Sequence, residues 1–307
     1  ENNERFVQLM KNILIIGCGL LGSSLVRKIK QKKISKQIFV YEKSKKYLSQ
    51  IKKLKLPCKI VKNPNEVIDL CDLIIFCTPM SEYQNIIKKI NSKLSLKNIV
   101  TDIGSSKIES QKIINKYLTK KTNWLSSHPI AGSEVSGPRN GYASIFDNKW
   151  CVLIKDKNTK LNTLKILKNF WKKIGSKVVV MNADQHDKIF SITSHLPHLI
   201  AYNLVKSAQD FEKQQSYDLI QYSAGGLRDF SRIAASNEIM WRDIFFNNKG
   251  NVSKAIDLFI KNLLDFKKDI LKQNNKNILL KLKNTKKVRA KIIKLKHDIN
   301  KPDFGRD

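Results

Sequence analysis

The chain has 307 residues, and its 58 lysines and arginines outnumber its 26 aspartates and glutamates, giving a formal net charge of +32. Hydrophobic residues make up 41% of the chain, which is enough to bury a core and excludes wholesale disorder. No apolar run approaches the roughly 20 residues that a membrane-spanning helix needs. The five cysteines are scattered and form no CxxC pair, which predicts free thiols in a reducing cytoplasm and excludes a disulfide framework.

The positive charge comes mainly from lysine, because only eight of the cationic residues are arginines. Recognition of phosphates and bases favours arginine, whose guanidinium forms paired hydrogen bonds. The lysines are also spread over the whole chain, so the composition argues against a nucleic-acid or membrane partner. The rarer histidines and arginines are therefore the more informative residues.

Apolar, β-branched runs alternate with amphipathic helical stretches through residues 11–182, after an N-terminal extension at residues 1–10. This alternation predicts βαβ units and an α/β, doubly wound, mainly parallel sheet of the Rossmann type. The predicted strands are Asn12–Ile16, Gln37–Tyr41, Leu73–Cys77, Asn98–Thr101, Trp124–Ser126, Trp150–Ile154 and Lys177–Val180.

Helical periodicity replaces this alternation over residues 183–275, which predicts a second, all-α domain. Pro197 is expected to kink the first helix or end a turn of it. Residues 276–307 are rich in lysine and asparagine and predict a basic helical tail. The helical stretches are Ile189–Phe211, Ser216–Asn237, Met240–Phe246 and Val252–Asn274.

A GxGxxG motif follows the first strand, with Gly17, Gly19, Leu20, Leu21 and Gly22 in the turn. The first glycine makes the tight turn, the second lets a pyrophosphate approach the backbone, and the third lets the helix pack on the strand. The free N–H groups of the helix then bind the phosphates. This motif predicts a dinucleotide site.

Acidic and hydroxyl side chains follow the later strands at the same edge of the sheet. Glu42 ends the second strand, where its carboxylate suits a ribose 2′-hydroxyl and favours NAD over NADP. Thr78 and Pro79 end the third strand, and Asp102 with Ser105 follow the fourth. Ligands bind at this edge of doubly wound sheets, although Ser105 could equally be a helix cap.

The histidines are candidates for the catalytic base and for substrate contacts. His128 lies in a glycine-rich segment predicted to be a loop, and its ordinary pKa suits it to act as a general base. His195 and His198 share a helix face and suit polar contacts to a substrate. Because no carboxylate or cysteine accompanies them, no metal site is predicted. His186 is expected only to contact a helix N-terminus.

Arginines concentrate in Gly225–Ala234, where Arg228 and Arg232 stand four residues apart with Asp229 between them. On a helix, two guanidiniums on one face with a neighbouring acid form a clamp for a carboxylate. The alternative is a surface network of ion pairs, but this chain otherwise uses lysine for surface charge.

Together these motifs resemble the prephenate and arogenate dehydrogenases of tyrosine biosynthesis, over roughly residues 11–270. The resemblance implies a Rossmann domain, a helical domain that forms a homodimer, and NAD-dependent oxidative decarboxylation of a small dianionic substrate. The matching segments are residues 17–22, Thr101–Ser105, Ser127–Glu134, Ser194–His198, Gly225–Ala234 and Met240–Asp243.

The resemblance also implies a role for each matching residue. His128 would be the catalytic base, and Ser105 would hydrogen-bond both His128 and the ring hydroxyl. Arg232 would bind a substrate carboxylate, with Glu134 and Asp229 engaging it and Arg228 beside it. His195 and His198 would line the pocket.

Several alternatives remain open at this point. The motifs do not separate prephenate from arogenate, and another NAD(P)-dependent β-hydroxyacid dehydrogenase or imine reductase could share the two-domain plan. A basic nucleic-acid or membrane-surface binder is the alternative from a different class. Feedback inhibition by tyrosine is likewise not determined by the sequence.

Overall fold

The computed structural model describes residues 10–118, 122–215 and 218–295. Its centre is a six-stranded sheet with the order β3-β2-β1-β4-β5-β6, in which every recorded pair is parallel. This order is the doubly wound arrangement of dinucleotide-binding domains, with its crossover point between β1 and β4, and it confirms the predicted fold class. The strands are β1 (Met10–Ile16), β2 (Ser35–Tyr41), β3 (Lys59–Ile60), β4 (Leu73–Phe76), β5 (Ile99–Asp102) and β6 (Asn123–Trp124).

Helices cover both faces of this sheet and bury one apolar cluster on each side. The first cluster includes Ile13, Leu25 and Trp171, and the second includes Leu14, Phe76 and Tyr83. Burial on both faces explains why β4 and β5 consist entirely of buried residues. The helices are α1 (Leu20–Gln31), α2 (Lys45–Lys53), α3 (Tyr83–Ile90), α4 (Ile108–Tyr117) and α5 (Leu161–Ile174).

A second, three-stranded sheet contains β7 (Ser127–Pro129), β8 (Trp150–Ile154) and β9 (Lys177–Met181). Here the prediction was wrong in one respect, because residues 127–129 form a strand instead of a loop and the strand before them ends at Trp124. Ser-His-Pro has little intrinsic strand preference, but His128 pairs with Val152 of the apolar strand β8. The strand fixes the backbone that carries His128.

The C-terminal half is helical, as predicted, and one π turn at Ser191–His195 joins its first two helices. Pro197 neither ends nor breaks this run, since α7 continues for another 18 residues after it. The wider π turn accommodates the ring and the missing N–H of proline. The helices are α6 (Ala183–Phe190), α7 (Leu196–Gln215), α8 (Gly225–Ile233), α9 (Glu238–Asn247), α10 (Lys249–Leu271) and α11 (Asn275–Lys294).

Two further boundaries differ from the sequence expectation. β1 begins at Met10, inside the predicted extension, and the helical stretch predicted over 216–237 is mostly the shorter helix α8. Residues 1–9, 216–217 and 296–307 lie outside the described residues. Within the described ranges, no helix combines the length and apolar character that crossing a membrane requires.

Candidate active site

The glycine turn between β1 and α1 has room for a ligand at one position only. Gly17 has a φ of 90°, and a Cβ there would lie 2.7 Å from the Thr78 side chain. A Cβ on Gly22 would lie 2.2 Å from the carbonyl oxygen of Gly17. A Cβ on Gly19 would meet nothing closer than Tyr47, at 4.0 Å. The open face at Gly19, next to the first residues of α1, fits a pyrophosphate.

Glu42 lies at the end of β2, beside this turn. Its carboxylate accepts hydrogen bonds from the backbone N–H groups of Cys18 and Ser44, both at 2.7 Å. These bonds fix the carboxylate against the glycine turn, where the predicted ribose contact requires an acceptor. Leu20 and Leu21, both half-buried, begin α1 and supply N–H groups there.

Thr78 and Pro79 follow β4 at the same edge of the sheet. The Thr78 hydroxyl oxygen is buried and has no hydrogen-bond partner within the described part of the chain. A buried polar group without a partner costs about 1–3 kcal/mol, so this hydroxyl suits a bound ligand. The residues at this edge therefore fit a dinucleotide.

Asp102 does not lie on the open part of this edge, which corrects the expectation that it contacts the cofactor. Its side chain is completely buried and accepts hydrogen bonds from the Tyr83 and Ser126 hydroxyls at 2.9 and 2.5 Å. It also pairs with the ammonium of Lys107 at 2.9 Å. Both carboxylate oxygens are thus occupied by protein groups, and Asp102 supports the site from beneath.

Lys107, which the sequence did not single out, is also completely buried. Besides its ion pair with Asp102, its ammonium donates to the carbonyl oxygen of Ser127 at 2.7 Å. A buried cation of this kind is stable only when it is paired and hydrogen-bonded. Lys107 therefore fixes the backbone next to His128 and places a positive charge near its ring.

His128 is the first member of a buried relay. Its Nδ1 lies 2.8 Å from Nε2 of His186, and Nδ1 of His186 lies 2.8 Å from a carboxylate oxygen of Asp187. Because a carboxylate only accepts, His186 donates from Nδ1 and accepts at Nε2. His128 must then donate from Nδ1, which leaves its lone pair on Nε2. The relay therefore holds His128 in the tautomer that a base requires.

His186 thus belongs to the site and is more than the helix contact that the sequence suggested. Asp187 does cap a helix, since its carboxylate accepts from the backbone N–H groups of Lys107 and Ile108 at 2.8 and 2.9 Å, at the start of α4. One carboxylate therefore orients His186 and also anchors the segment that carries Ser105.

Burial determines the charge of the relay. It lowers the pKa of His128 well below its ordinary value, and the charges of His186, Lys107 and His195 lower it further. Burial also lowers the pKa of His186, against the opposing effect of Asp187. His128 is therefore neutral at pH 7 and able to accept a proton.

Ser105 does not make its predicted bond to His128. The described residues include no hydrogen bond between the two side chains, and the Ser105 side chain is half-buried. Its neighbours are fixed instead, because Gly104 N donates to Asp102 at 3.1 Å and the Ser106 hydroxyl donates to the Met80 sulfur at 3.2 Å. A bond between Ser105 and a substrate hydroxyl stays a prediction.

His195 and His198 both contact Trp241, which the sequence named only within a motif. The His198 ring stacks on Trp241 with ring centroids 3.8 Å apart, and His195 meets its edge at 6.3 Å. Asn248 donates to Nδ1 of His195 at 3.1 Å, so the proton of that ring is on Nε2. Burial lowers the pKa of His195 to about 4 and keeps it neutral.

The Nε1 atom of Trp241 is buried without a hydrogen-bond partner among the described residues. His195 instead hydrogen-bonds the backbone of Ser105, which partly offsets the lowering of its pKa by burial. The Thr78 hydroxyl is a second buried group of this kind, like Trp241 Nε1. Uncharged donors at such positions suit the oxygens of a bound anion.

Arg232 and Glu134 form an ion pair, as predicted, with 3.4 Å between Nη1 and Oε2. The arginine is 47% exposed and the glutamate 30%, so the pair is worth at most about 1 kcal/mol. A substrate carboxylate can therefore displace Glu134 at little cost. The positive charge of Arg232 also lowers the pKa of His198, after burial, which places the two residues close together.

Arg228 and Asp229 are on α8, the same helix as Arg232. The Arg228 side chain is exposed and that of Asp229 is half-buried. Their predicted part in the carboxylate clamp stays a prediction.

Comparison with known families agrees with this geometry. Residues 25–180 match the nucleotide-binding domain of prephenate dehydrogenase, and residues 182–285 match the dimerization domain of that enzyme. The chain belongs to the prephenate dehydrogenase family.

The relatives cover nearly the whole chain. A cyclohexadienyl dehydrogenase from Zymomonas mobilis is 31% identical, and the match spans 95% of this chain and 99% of the relative. The prephenate dehydrogenase of Bacillus subtilis is 27% identical, over 92% of this chain and 76% of the relative. The family assignment therefore applies to both domains.

A solved structure shows the same arrangement. The prephenate dehydrogenase of Aquifex aeolicus, crystallised with hydroxyphenyl propionate and NAD+, is 32% identical with a TM-score of 0.85, covering 92% of this chain and 98% of that one. Arogenate dehydrogenase from Synechocystis, at 21% identity and a TM-score of 0.74, covers 91% and 99% and shares the fold.

Proposed function

We propose that this chain is an oxidoreductase that oxidises and decarboxylates prephenate with NAD as its cofactor, giving 4-hydroxyphenylpyruvate. The observation that carries the proposal is the relay from His128 through His186 to Asp187, which leaves one neutral base at the cofactor-binding edge of the sheet. The family membership of both domains supports the same reaction.

Several residues at this edge of the sheet support the binding of NAD. The backbone at Gly19 and the first N–H groups of α1 would bind the pyrophosphate, and Glu42 would accept from a ribose hydroxyl. Thr78 offers its buried hydroxyl at the end of β4. NAD, when bound, supplies the acceptor for a hydride from the ring carbon that bears the hydroxyl.

His128 moves the proton. As the C–H bond breaks and its electrons leave with the hydride, Nε2 of His128 takes the proton of the ring hydroxyl, so that a neutral carbonyl forms instead of a protonated one. The bond between the ring and its carboxylate then breaks and CO2 leaves. The electrons of that bond pass into the ring and make it aromatic. The resulting phenolate takes a proton back from the imidazolium. His186 accepts from Nδ1–H of His128, and Asp187 accepts from His186, so the ring of His128 keeps its orientation between these two transfers.

The remaining side chains bind the two carboxylates of the substrate. Arg232 supplies the mobile positive charge, because its contact with Glu134 is exposed and weak. Trp241 supplies a neutral N–H donor that is buried. His198 is stacked on Trp241 and lines the pocket beside Arg232. The protein thus orients the reactants, while aromatisation provides most of the driving force.

A direct assay tests the proposal. Purified protein with prephenate and NAD is expected to produce NADH, measured as absorbance at 340 nm. If neither prephenate nor arogenate gives NADH, the proposed reaction is wrong.

Arogenate is the second candidate substrate, since a relative of similar identity is a cyclohexadienyl dehydrogenase. The two substrates differ in one group of the side chain, a keto oxygen or an ammonium. Measuring kcat/KM for both substrates with NAD and with NADP separates the candidates. We expect higher values with prephenate, in line with the family of both domains, and with NAD, because the Glu42 carboxylate repels a 2′-phosphate.

We also propose that the chain acts as a homodimer in the cytoplasm. Apolar side chains are exposed along α10 and α11, including Leu263, Leu264, Leu279 and Leu280, and a second copy would cover them. All five cysteines are free thiols, as in a reducing compartment. Light scattering after size exclusion tests the dimer, and a monomeric mass at micromolar concentration would contradict it.

A further inference from the structure

One buried carboxylate joins the helical half of the chain to the cofactor-binding edge of the sheet. Oδ2 of Asp243, on α9, accepts a hydrogen bond of 2.9 Å from the backbone N–H of Ser81. The two residues are 162 positions apart, and the Asp243 side chain is only 5% exposed. Ser81 lies in the short 3-10 turn Met80–Glu82, directly after Thr78 and Pro79.

The environment of Asp243 keeps it ionised. Burial alone would raise the pKa of this carboxyl, but hydrogen bonds from Ser81 and Arg242 outweigh burial and lower the pKa. Arg242 donates to the other carboxylate oxygen from Nε and Nη2, at 3.1 and 2.7 Å. The carboxylate also lies at the N-terminal end of the turn and of α3, where negative charge is favourable.

The turn that Asp243 binds is connected by hydrogen bonds to the residues that support Ser105 and His128. Met80 accepts the hydrogen bond from Ser106, next to Ser105. Tyr83 donates to Asp102, which holds Lys107 beneath His128. Any displacement of the turn would therefore move the supports of both Ser105 and His128.

The other side of α9 carries part of the substrate pocket. Trp241 stacks on His198, and its ring is buried in the same apolar cluster as Phe76, Met80 and Tyr83. The pocket wall and the end of β4 thus share one packed core, and the Asp243–Ser81 contact sets the alignment of α9 along it.

From this juxtaposition we propose that Asp243 is a positioning residue, which holds the pocket wall at Trp241 and His198 in register with the cofactor-binding edge after β4. The proposal rests on the proposed function, because this register matters only if a hydride passes between the two sides. Displacements of about 1 Å at a reacting centre can cost a factor on the order of 100 in rate.

Two variants of Asp243 and one of its neighbour test the proposal. Asp243→Ala removes the acceptor for Ser81 N–H, whereas Asp243→Asn keeps an oxygen there and loses only the charge. Arg242→Met removes the half-exposed ion pair and leaves the Ser81 contact. We expect kcat to fall roughly thirtyfold or more in Asp243→Ala, and to stay within about threefold of wild type in the other two. The KM for prephenate and the Kd for NAD should change by less than about threefold in all three.

Hydrogen exchange gives a readout that does not depend on turnover. Exchange of the peptide covering residues 78–83 should speed up in Asp243→Ala, with and without NAD, and stay at the wild-type rate in Asp243→Asn and Arg242→Met. If wild type has no activity with prephenate, the proposed function fails, while exchange still decides whether Asp243 holds the turn.

Any of the following results would overturn the proposal. They are wild-type kcat in Asp243→Ala, an equal loss of kcat in Asp243→Ala and Arg242→Met, and unchanged exchange at residues 78–83 in Asp243→Ala. A loss of activity that a lower assay temperature fully restores, in step with a lowered Tm, would indicate general destabilisation and also counts against it.

Discussion

At the scale of single residues, the state of His128 is determined by groups that are distant in sequence. Asp187 fixes the tautomer through His186, and burial with the nearby charge of Lys107 keeps the ring neutral. A base that must accept a proton near pH 7 needs both conditions. The relay fixes the tautomer, and burial keeps the ring neutral.

Replacing His128 with asparagine should remove the base and preserve the fold. We expect kcat to fall at least about a hundredfold, the usual scale for the loss of a general base. The Kd for NAD, measured by fluorescence titration, should change little, because the glycine turn and Glu42 are untouched. Undiminished turnover would exclude His128 from this role.

His186→Asn should act through the pKa of His128. The charge of His186 is one of the causes that lower that pKa, so its removal should raise the pKa and move the acid limb of the kcat/KM profile to higher pH. Loss of the acceptor for Nδ1–H should also reduce kcat by about tenfold or more. The test is the pH profile of the variant beside wild type, and an unshifted acid limb would contradict this prediction.

Sequence patterns identified His128 and the Arg232–Glu134 pair but missed the residues that support them. Lys107 looked like one lysine among fifty, and only its complete burial shows that it differs from the others. The adjacency of His186 and Asp187 was the one available signal, since histidine is rare in this chain. Their contact with His128 spans 58 positions and depends on tertiary packing.

At the scale of elements, two glycines in the turn from β1 to α1 serve different purposes. Gly22 is needed for packing, because a Cβ there would lie 2.2 Å from a backbone oxygen, whereas Gly19 has open space. A side chain on Gly22 strains the fold, whereas a side chain on Gly19 faces the bound ligand.

Gly22→Ala and Gly19→Ala should therefore affect different properties, the first stability and the second NAD binding. The first should lower the free energy of unfolding by about 1–3 kcal/mol, as overpacking does, and this is measured by urea denaturation. The second should leave stability within about 0.5 kcal/mol, as substitutions that disturb no packing do. It should also raise the Kd for NAD by about tenfold or more, since the methyl group faces the pyrophosphate. Equal stability losses in both variants would be inconsistent with this geometry.

The regular elements were the most predictable part of the fold. All seven predicted strands lie within or beside observed ones, because buried parallel strands are continuous apolar runs. The missed strands, Lys59–Ile60 and Ser127–Pro129, are two and three residues long and owe their form to their neighbours. The arginine-bearing helix was predicted too long, since its amphipathic pattern continues past both ends of α8.

At the scale of the whole molecule, the buried histidines couple stability to pH. The pKa values of His128, His186, His195 and His198 are all lowered in the folded chain, in each case first by burial. In the unfolded chain these groups return to their ordinary value of 6.5, so the unfolded state binds more protons below that pH. Folding stability is therefore full above pH 6.5 and is lost as the pH falls.

The free energy of unfolding should fall between pH 6.5 and pH 4, with each such histidine contributing up to about 1.4 kcal/mol per pH unit. His195→Gln removes one of these groups and keeps an acceptor for Asn248, so its stability should depend less steeply on pH. Urea denaturation at pH 7.5, 6, 5 and 4.5 measures both slopes. Identical slopes would show that His195 is not a source of the effect.

The division into a sheet half and a helical half followed from the change of periodicity near residue 183. The packing between the halves did not, because α9 buries Trp241 and Ile244 among side chains that lie about 160 positions earlier. Nothing in the local pattern of α9 distinguishes the side facing the sheet from the side facing the pocket.

The π turn at Ser191–His195 changes the angles at which three histidines project around the helix axis. At about 100° per residue, an uninterrupted α-helix would place His198 about 120° around the axis from His186. A π turn behaves as one inserted residue, which reduces this angle to about 20° and brings both imidazoles to one side. Deleting one residue within 191–194 should therefore preserve their alignment, whereas inserting one should rotate His195 and His198 away from the relay.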